Sequence, residues 1–148
     1  MNANVMLPRK PEQILVVDDD ISVLTVMKCM LECYDYSVLL AETAEAALRL
    51  AANQHLVIDL LITDIVMPAV QGPELADRML ALRPEIKVLY MSGYADSEVV
   101  RFKVLDPSVS FLPKPFTTDG LIETVERALR GPRLVHSDLR NHLAAVRA

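Results

Sequence analysis

Asp18-Asp19-Asp20, Asp64, Ser92-Gly93 and the lysine of Pro113-Lys114-Pro115 are the residues of this chain whose types could do chemistry together. Carboxylates about 4–5 Å apart repel by roughly 3–4 kcal/mol per pair at an effective dielectric near 20. Such a group is stable only beside a cation. Oxygen-only donors that leave room for water suit Mg²⁺, with Mn²⁺ as an alternative, better than a soft metal. A lysine adds a fixed positive charge. Carboxylates, a hard cation, an ammonium and a hydroxyl are the parts that hold a phosphoryl group and stabilise charge on its oxygens in transfer. One carboxylate can itself be the nucleophile, giving an acyl phosphate. Taken singly, each segment reads as a strand-end cap, a turn or a surface loop. They make a site only if the fold brings them to one place.

The elements that would do so are short. Apolar runs recur at Ile14–Val17, Val38–Ala41, Leu60–Ile62, Val88–Met91 and Phe111–Leu112. Unbroken runs rich in Val, Ile and Leu suit strands buried on both faces. Between them lie helical stripes: Val23, Leu24, Met27, Met30 and Leu31, then Ala44, Ala47, Leu48 and Ala51. Leu75, Met79 and Leu82 form a third, and Leu121, Ile122, Val125 and Leu129 the last. Ser97–Leu105 is helical in spacing, but its apolar residues cannot share one face. Strand–helix alternation repeated five times predicts an α/β fold, a doubly wound parallel sheet with helices on both faces. Right-handed crossovers then bring every strand's C-terminal end to one edge, where ligands bind in such folds. Each reactive segment above directly follows an apolar run. Asp20 reads as a helix-start residue and Asp35 as a left-handed turn residue.

Composition bounds the rest. The chain has 148 residues, 52% of them hydrophobic and 24% charged, which fits one folded domain. A formal charge of −5 argues against a domain-wide nucleic-acid surface. Residues 1–130 hold 12 Lys/Arg against 19 Asp/Glu, and residues 131–148 three Arg against one Asp. The break falls at Gly131-Pro132, where a left-handed glycine exit is expected to end the last helix. The expected division is a leader at 1–11, a domain at 12–130 and a short basic tail at 131–148 with one extra helix from Ser137. The leader lacks a signal-peptide core and no run is long enough to span a membrane, so a cytoplasmic, membrane-independent protein is expected. Cys29 and Cys33, one turn apart, have no third ligand, and His55, His136 and His142 are scattered.

The pattern resembles the receiver domain of two-component response regulators. Four motifs carry the resemblance: Ile14-Leu15-Val16-Val17-Asp18-Asp19-Asp20; Leu61-Ile62-Thr63-Asp64-Ile65-Val66-Met67-Pro68 with Gly72; Val88-Leu89-Tyr90-Met91-Ser92-Gly93; and Phe111-Leu112-Pro113-Lys114-Pro115-Phe116. It covers about residues 12–130. The stretch Gly72-Pro73-Glu74-Leu75 through Leu82-Arg83-Pro84, with Met91-Ser92-Gly93-Tyr94, looks like the hybrid sensor histidine kinase branch.

The resemblance implies a flavodoxin-like sheet in the order 2-1-3-4-5 and a phosphorelay role in signal transduction. It implies Asp64 as phosphoacceptor, Mg²⁺ held by Asp19, Asp64 and the Val66 main-chain carbonyl, and Asp18 bound mainly through water. Lys114 would bridge to Asp64 and the phosphoryl oxygens, Ser92 would hydrogen-bond the phosphoryl group, and Gly93 would leave space for it. Lys114-Pro115 would be cis. Ser92 and Phe111 would form the switch, Phe111 lacking the hydroxyl that a tyrosine would supply there. The phosphodonor would be a sensor histidine kinase or histidine phosphotransfer protein. Output would run through the Ser97–Leu105 helix and the last helix, with no direct nucleic-acid contact; pairing with a second copy stays open, as does a free-standing regulator against part of a hybrid kinase. On length, an attached DNA-binding output domain of the usual size is not expected. Two other readings are an unphosphorylated pseudo-receiver that only binds partners, and an aspartate-nucleophile phosphohydrolase. The latter wants an acid two residues after the nucleophile, where Val66 stands.

Overall fold

A computed structural model describes residues 10–93 and 110–131. Tyr94, the Ser97–Leu105 segment, most of the leader and the tail from Pro132 lie outside the described residues. Five strands, β1 (Gln13–Val17), β2 (Ser37–Ala41), β3 (Leu60–Asp64), β4 (Lys87–Ser92) and β5 (Ser110–Pro113), form one sheet in the order β2-β1-β3-β4-β5. Every pairing is parallel. The helices described are α1 (Ile21–Glu32), α2 (Ala44–Ala52), α3 (Gly72–Leu82) and α4 (Thr118–Arg130). The architecture and strand order are those expected.

The sheet is apolar on both faces because each face has its own helical layer. Ile14, Val16, Leu60, Ile62, Leu89 and Met91 meet Leu24, Met27 and Leu31 of α1 and Leu121 and Val125 of α4. The residues between them, Leu15, Val17, Leu61, Val88 and Tyr90, meet Ala47 and Ala51 of α2 and Leu75 and Met79 of α3. A strand's side chains alternate between faces, so a strand covered twice needs apolar residues at every position. β2, at the sheet's edge, is only half-buried over Ser37–Leu40.

Helix starts follow local hydrogen-bonding chemistry. The carboxylate of Asp20 accepts from the Ser22 amide (2.8 Å), and Thr43 and Thr117 cap α2 and α4 in the same way. α3 instead has Pro73 in its first turn, where the missing N–H costs nothing.

Two expectations need correction. Leu82 is 47% exposed, while Leu80 is buried. The buried arc of α3 runs through Leu75, Ala76, Met79 and Leu80, and at 100° per residue Leu82 falls just outside it. Gly131 leaves α4 with φ −80° and ψ 175°, not left-handed. It precedes a proline, which drives the preceding residue to extended conformations. Asp35 is left-handed as anticipated, at φ 67°. Ala69 shares that conformation at φ 66°, and the Val70 amide donates to the Pro68 carbonyl (2.8 Å) across it, a tight three-residue turn.

The edge opposite the reactive segments is tied by polar contacts. Arg83, just after α3, donates from Nε to the Ala51 carbonyl (2.8 Å), and from its two terminal nitrogens to those of Leu56 and Asn53 (2.6 Å each). It thereby caps the C-terminal end of α2 and fixes the loop into β3. Asp59 accepts from the Gln13 amide (2.8 Å), and Lys87 Nζ donates to the Gly131 carbonyl. Hydrogen bonds from charged donors are worth about 1.5–3 kcal/mol each, and a lysine cannot reproduce a three-pronged fork. Arg83→Lys is therefore expected to destabilise the domain by about 2–4 kcal/mol, read as a lower urea midpoint with an unchanged slope.

Candidate functional site

The parallel register sets the geometry. Val17 pairs with Ala41 and Thr63, Asp64 with Met91, and Ser92 with Pro113, so the C-terminal ends of β1, β3, β4 and β5 lie along one edge. Asp18 and Asp19 follow β1, Asp64 ends β3, Ser92 ends β4 and Lys114 follows β5.

Oxygens of Asp18, Asp19 and Asp64 lie within 4.8 Å of one another. Asp18 is only 1% exposed, Asp64 is partly buried and Asp19 opens to solvent. Both oxygens of Asp18 are engaged: Oδ1 accepts from the Asp20 amide (2.9 Å) and Oδ2 from Lys114 Nζ (2.7 Å). The same ammonium reaches Asp64 Oδ2 at 3.3 Å. Burial raises the Asp64 carboxyl above the ordinary aspartate range and Asp18 adds to the effect, against the pull of Lys114. Burial alone would lower the Lys114 ammonium. Its hydrogen bond to Asp18 and the two carboxylate charges outweigh that and hold it above the ordinary lysine value.

Hard oxygen donors, two of them partly or wholly open to solvent, fit a divalent cation such as Mg²⁺. Among the described residues a single ammonium faces the three carboxylates and leaves them undercompensated, which is the electrostatic condition for binding one.

Of the other residues singled out from the sequence, Ser92 is buried at 3% exposure, and its carbonyl accepts from the Lys114 amide (2.7 Å). That contact ties the β4 and β5 ends together. Lys114-Pro115 is cis, as anticipated. A Cβ at Gly93 would meet only Lys114 Cδ at 3.7 Å, an ordinary contact. Phe111 is half-buried, lies across from Tyr90 and packs on the α2/α3 side of the sheet. Val66 sits in the loop after β3 with its side chain half-exposed, at 51%. Cys29 on α1 and Cys33 at the cap that follows it are exposed free thiols.

Sequence reasoning underrated the backing of Asp64. A Cβ at Gly72 would lie 2.1 Å from the Asp64 carbonyl oxygen, so only glycine lets the start of α3 close on the strand end. The Gly72 amide donates to the Ile65 carbonyl (2.8 Å), and the Ile65 amide to that of Met91 (3.0 Å). Thr63, fully buried at the end of an apolar strand, donates its hydroxyl to the Asp64 carbonyl (3.0 Å). A buried threonine beside the carboxylate was the available signal.

Residues 14–126 match the family described as response regulator receiver domain. The chain is 36% identical over 116 residues to the transcriptional regulatory protein ZraR of Escherichia coli K12, covering 78% of this chain and 26% of that protein. It is 32% identical over 116 residues to the sensor kinase CckA of Brucella abortus, covering 78% of this chain and 12% of that one. It thus spans about a quarter and about an eighth of these two relatives. Among solved structures, the receiver domain of the hybrid histidine kinase CckA superposes with a TM-score of 0.66 at 34% identity, covering 80% of this chain and 99% of that one. No helix among the described residues is long and apolar enough to cross a membrane.

The raised carboxyl of Asp64 has a stability consequence with a definite sign. A folded-state value above the unfolded one means that ionised Asp64 costs stability at neutral pH, a cost that disappears below the unfolded value near pH 4. Without divalent cations, Asp64→Asn is expected to melt at a higher temperature than the parent at pH 7, and the gap to close as the pH falls toward about 4. Differential scanning calorimetry in chelator across that range checks both. Gly72→Ala is expected to cost about 1–3 kcal/mol in urea unfolding.

Proposed function

The chain belongs to the response regulator receiver domain family, and on that footing we propose that it is a phosphorylatable switch in two-component signalling, with Asp64 as the acceptor. Asp64 attacks the phosphorus of a phosphohistidine on a sensor histidine kinase or histidine phosphotransfer protein. An O–P bond forms, the P–N bond breaks, and the imidazole leaves with the bonding electrons and takes up a proton. The observation that carries this reading is the Lys114 ammonium seated between Asp18 and Asp64 beside three converging carboxylates. An inert binding module gains nothing from keeping mutually repelling charges at its strand ends.

Asp19, Asp64 and the Val66 main-chain carbonyl would hold Mg²⁺ (or Mn²⁺), with Asp18 acting mainly through water. When bound, the cation neutralises the carboxylates and the incoming phosphoryl oxygens. Lys114 sits close enough to Asp64 to follow the charge onto the phosphoryl group. Ser92, at the adjacent strand end, would donate its hydroxyl to a phosphoryl oxygen. That new partner for Ser92, with Phe111 behind it on the same side of the sheet as Tyr90, would be the two-state element biased by phosphorylation. Output is assigned to the Ser97–Leu105 segment together with α4. The domain is taken to act in the cytoplasm, as a free-standing regulator or as one part of a longer signalling protein.

The half-exposed Val66, two residues past the acceptor, offers no polar group to orient a hydrolytic water. The acyl phosphate is therefore expected to be long-lived, and Val66→Asn to shorten its lifetime severalfold, followed by phosphate release. Incubation with Mg²⁺ and acetyl phosphate is expected to add the mass of one phosphoryl group to this chain and not to Asp64→Asn. No gain in either would favour a partner-binding module. Steady turnover of added phosphomonoesters would favour a hydrolase.

A further inference from the structure

The sheet edge opposite the acidic nest carries two recesses that share a wall. One lies at the starts of β1 and β2 and the end of α1, lined by Glu12, Glu32, Tyr34, Asp35 and Leu129. The other lies at the starts of β3 and β4, lined by Glu12, Val57, Leu82, Glu85 and Leu129. Glu12 and Leu129 belong to both, so the two make one groove. Three of the six large apolar side chains that stand exposed among the described residues line it: Tyr34, Val57 and Leu82. Its acids are uncompensated. Glu12, Glu32, Asp35 and Glu85 are exposed and have no ion pair among the described residues. The cations of this edge are committed elsewhere: Arg83 and Lys87 donate to backbone carbonyls, and Arg130 lies 3.9 Å from Glu126 on its own helix. Of the lining cations, that leaves Lys10 against four carboxylates.

We infer that this groove seats the chain's own basic tail, residues 132–148, with its apolar stripe inward and its arginines on the acidic rim. The tail begins at the groove, because Leu129 lines both recesses and the Gly131 carbonyl is held by Lys87 Nζ. It carries Arg133, Arg140 and Arg147 against Asp138. In the helix that the sequence predicts from Ser137, a turn of about 100° per residue puts Leu139, Leu143 and Val146 in one stripe. Arg140 and Arg147 then fall together on its flank. Residues 138–148 would span about 16 Å as a helix, and β2 stands about 14 Å from β4 at the usual strand spacing. Pro132–His136 can reach about 17 Å when extended, enough to lay that helix along the groove. So short a tether gives an effective concentration of about millimolar, and contacts too weak to hold a separate partner suffice. Every residue lining the groove lies away from the phosphoryl chemistry proposed above, so the inference does not depend on it.

The test is ¹⁵N NMR on the full chain with a nitroxide on Ala145→Cys, in a Cys29→Ser/Cys33→Ser background. The amide signals of Glu12, Tyr34 and Val57 are expected to lose most of their intensity, and those of Asp19 and Ser92 at the opposite edge to keep theirs. Glu12→Lys/Glu32→Lys in the same chain is expected to restore the groove signals. Raising the salt to about 1 M, where the Debye length is about 3 Å, reads the same charge dependence if that variant does not fold. Groove signals that keep their intensity overturn the inference, and so does equal loss at both edges. Loss that neither charge reversal nor salt relieves overturns the charge pairing on which it rests. Loss in a mixture of unlabelled ¹⁵N chain with nitroxide-bearing ¹⁴N chain assigns the groove to the tail of a second copy and overturns it as well.

Discussion

Negative charge gathered where water is scarce is the constraint around which this domain is organised. Asp18 is almost fully buried and Asp64 partly so, and the two are joined through one ammonium. Neither carboxylate could sit at a strand end beside the apolar core without it, since an unpaired buried charge is far more costly than a paired one. That ammonium comes from a residue 96 positions along the chain from Asp18. The contact exists only because β1 and β5 run parallel and end on the same edge. The fold's parallel strand order is, in this sense, the device that lets distant charges meet.

The two edges of the sheet are built differently. At one, loops present charged side chains that are short of partners or share one. At the other, backbone carbonyls are gathered by Arg83, Lys87 and Gln13 in contacts that leave little choice of position. The division follows from parallel topology, which sends every strand's carboxyl end one way and leaves the opposite edge for structural ties.

Much of this was legible in the residues. The unbroken apolar runs announced strands covered on both faces, and the Asp, Ser and Lys positions immediately after them announced the site, because a parallel sheet leaves such residues only one edge to occupy. The Asp20 cap and the left-handed Asp35 followed from side-chain chemistry alone. What stayed hidden depended on three-dimensional packing. The exposure of Leu82 turned on a few tens of degrees of helix rotation. The extended exit at Gly131 reflected a contest between a glycine's freedom and its proline neighbour, which the proline won. The Arg83 fork reads as one more surface arginine until the end of α2 is placed beside it. Ala69 carries no sequence sign of a left-handed backbone, since alanine has neither glycine's freedom nor an aspartate's side-chain bond.

Gly72 gives the site a fixed back wall. With α3 seated on the Asp64 carbonyl, and the next amide bonded across to Met91, the main chain beneath the carboxylate has nowhere to recoil. A change of charge on that side chain is thus met by a rigid anvil behind it. In the proposed switch its force would go forward, into whichever neighbours on the β4 and β5 side can yield, and a missing methyl group would set the direction of the response.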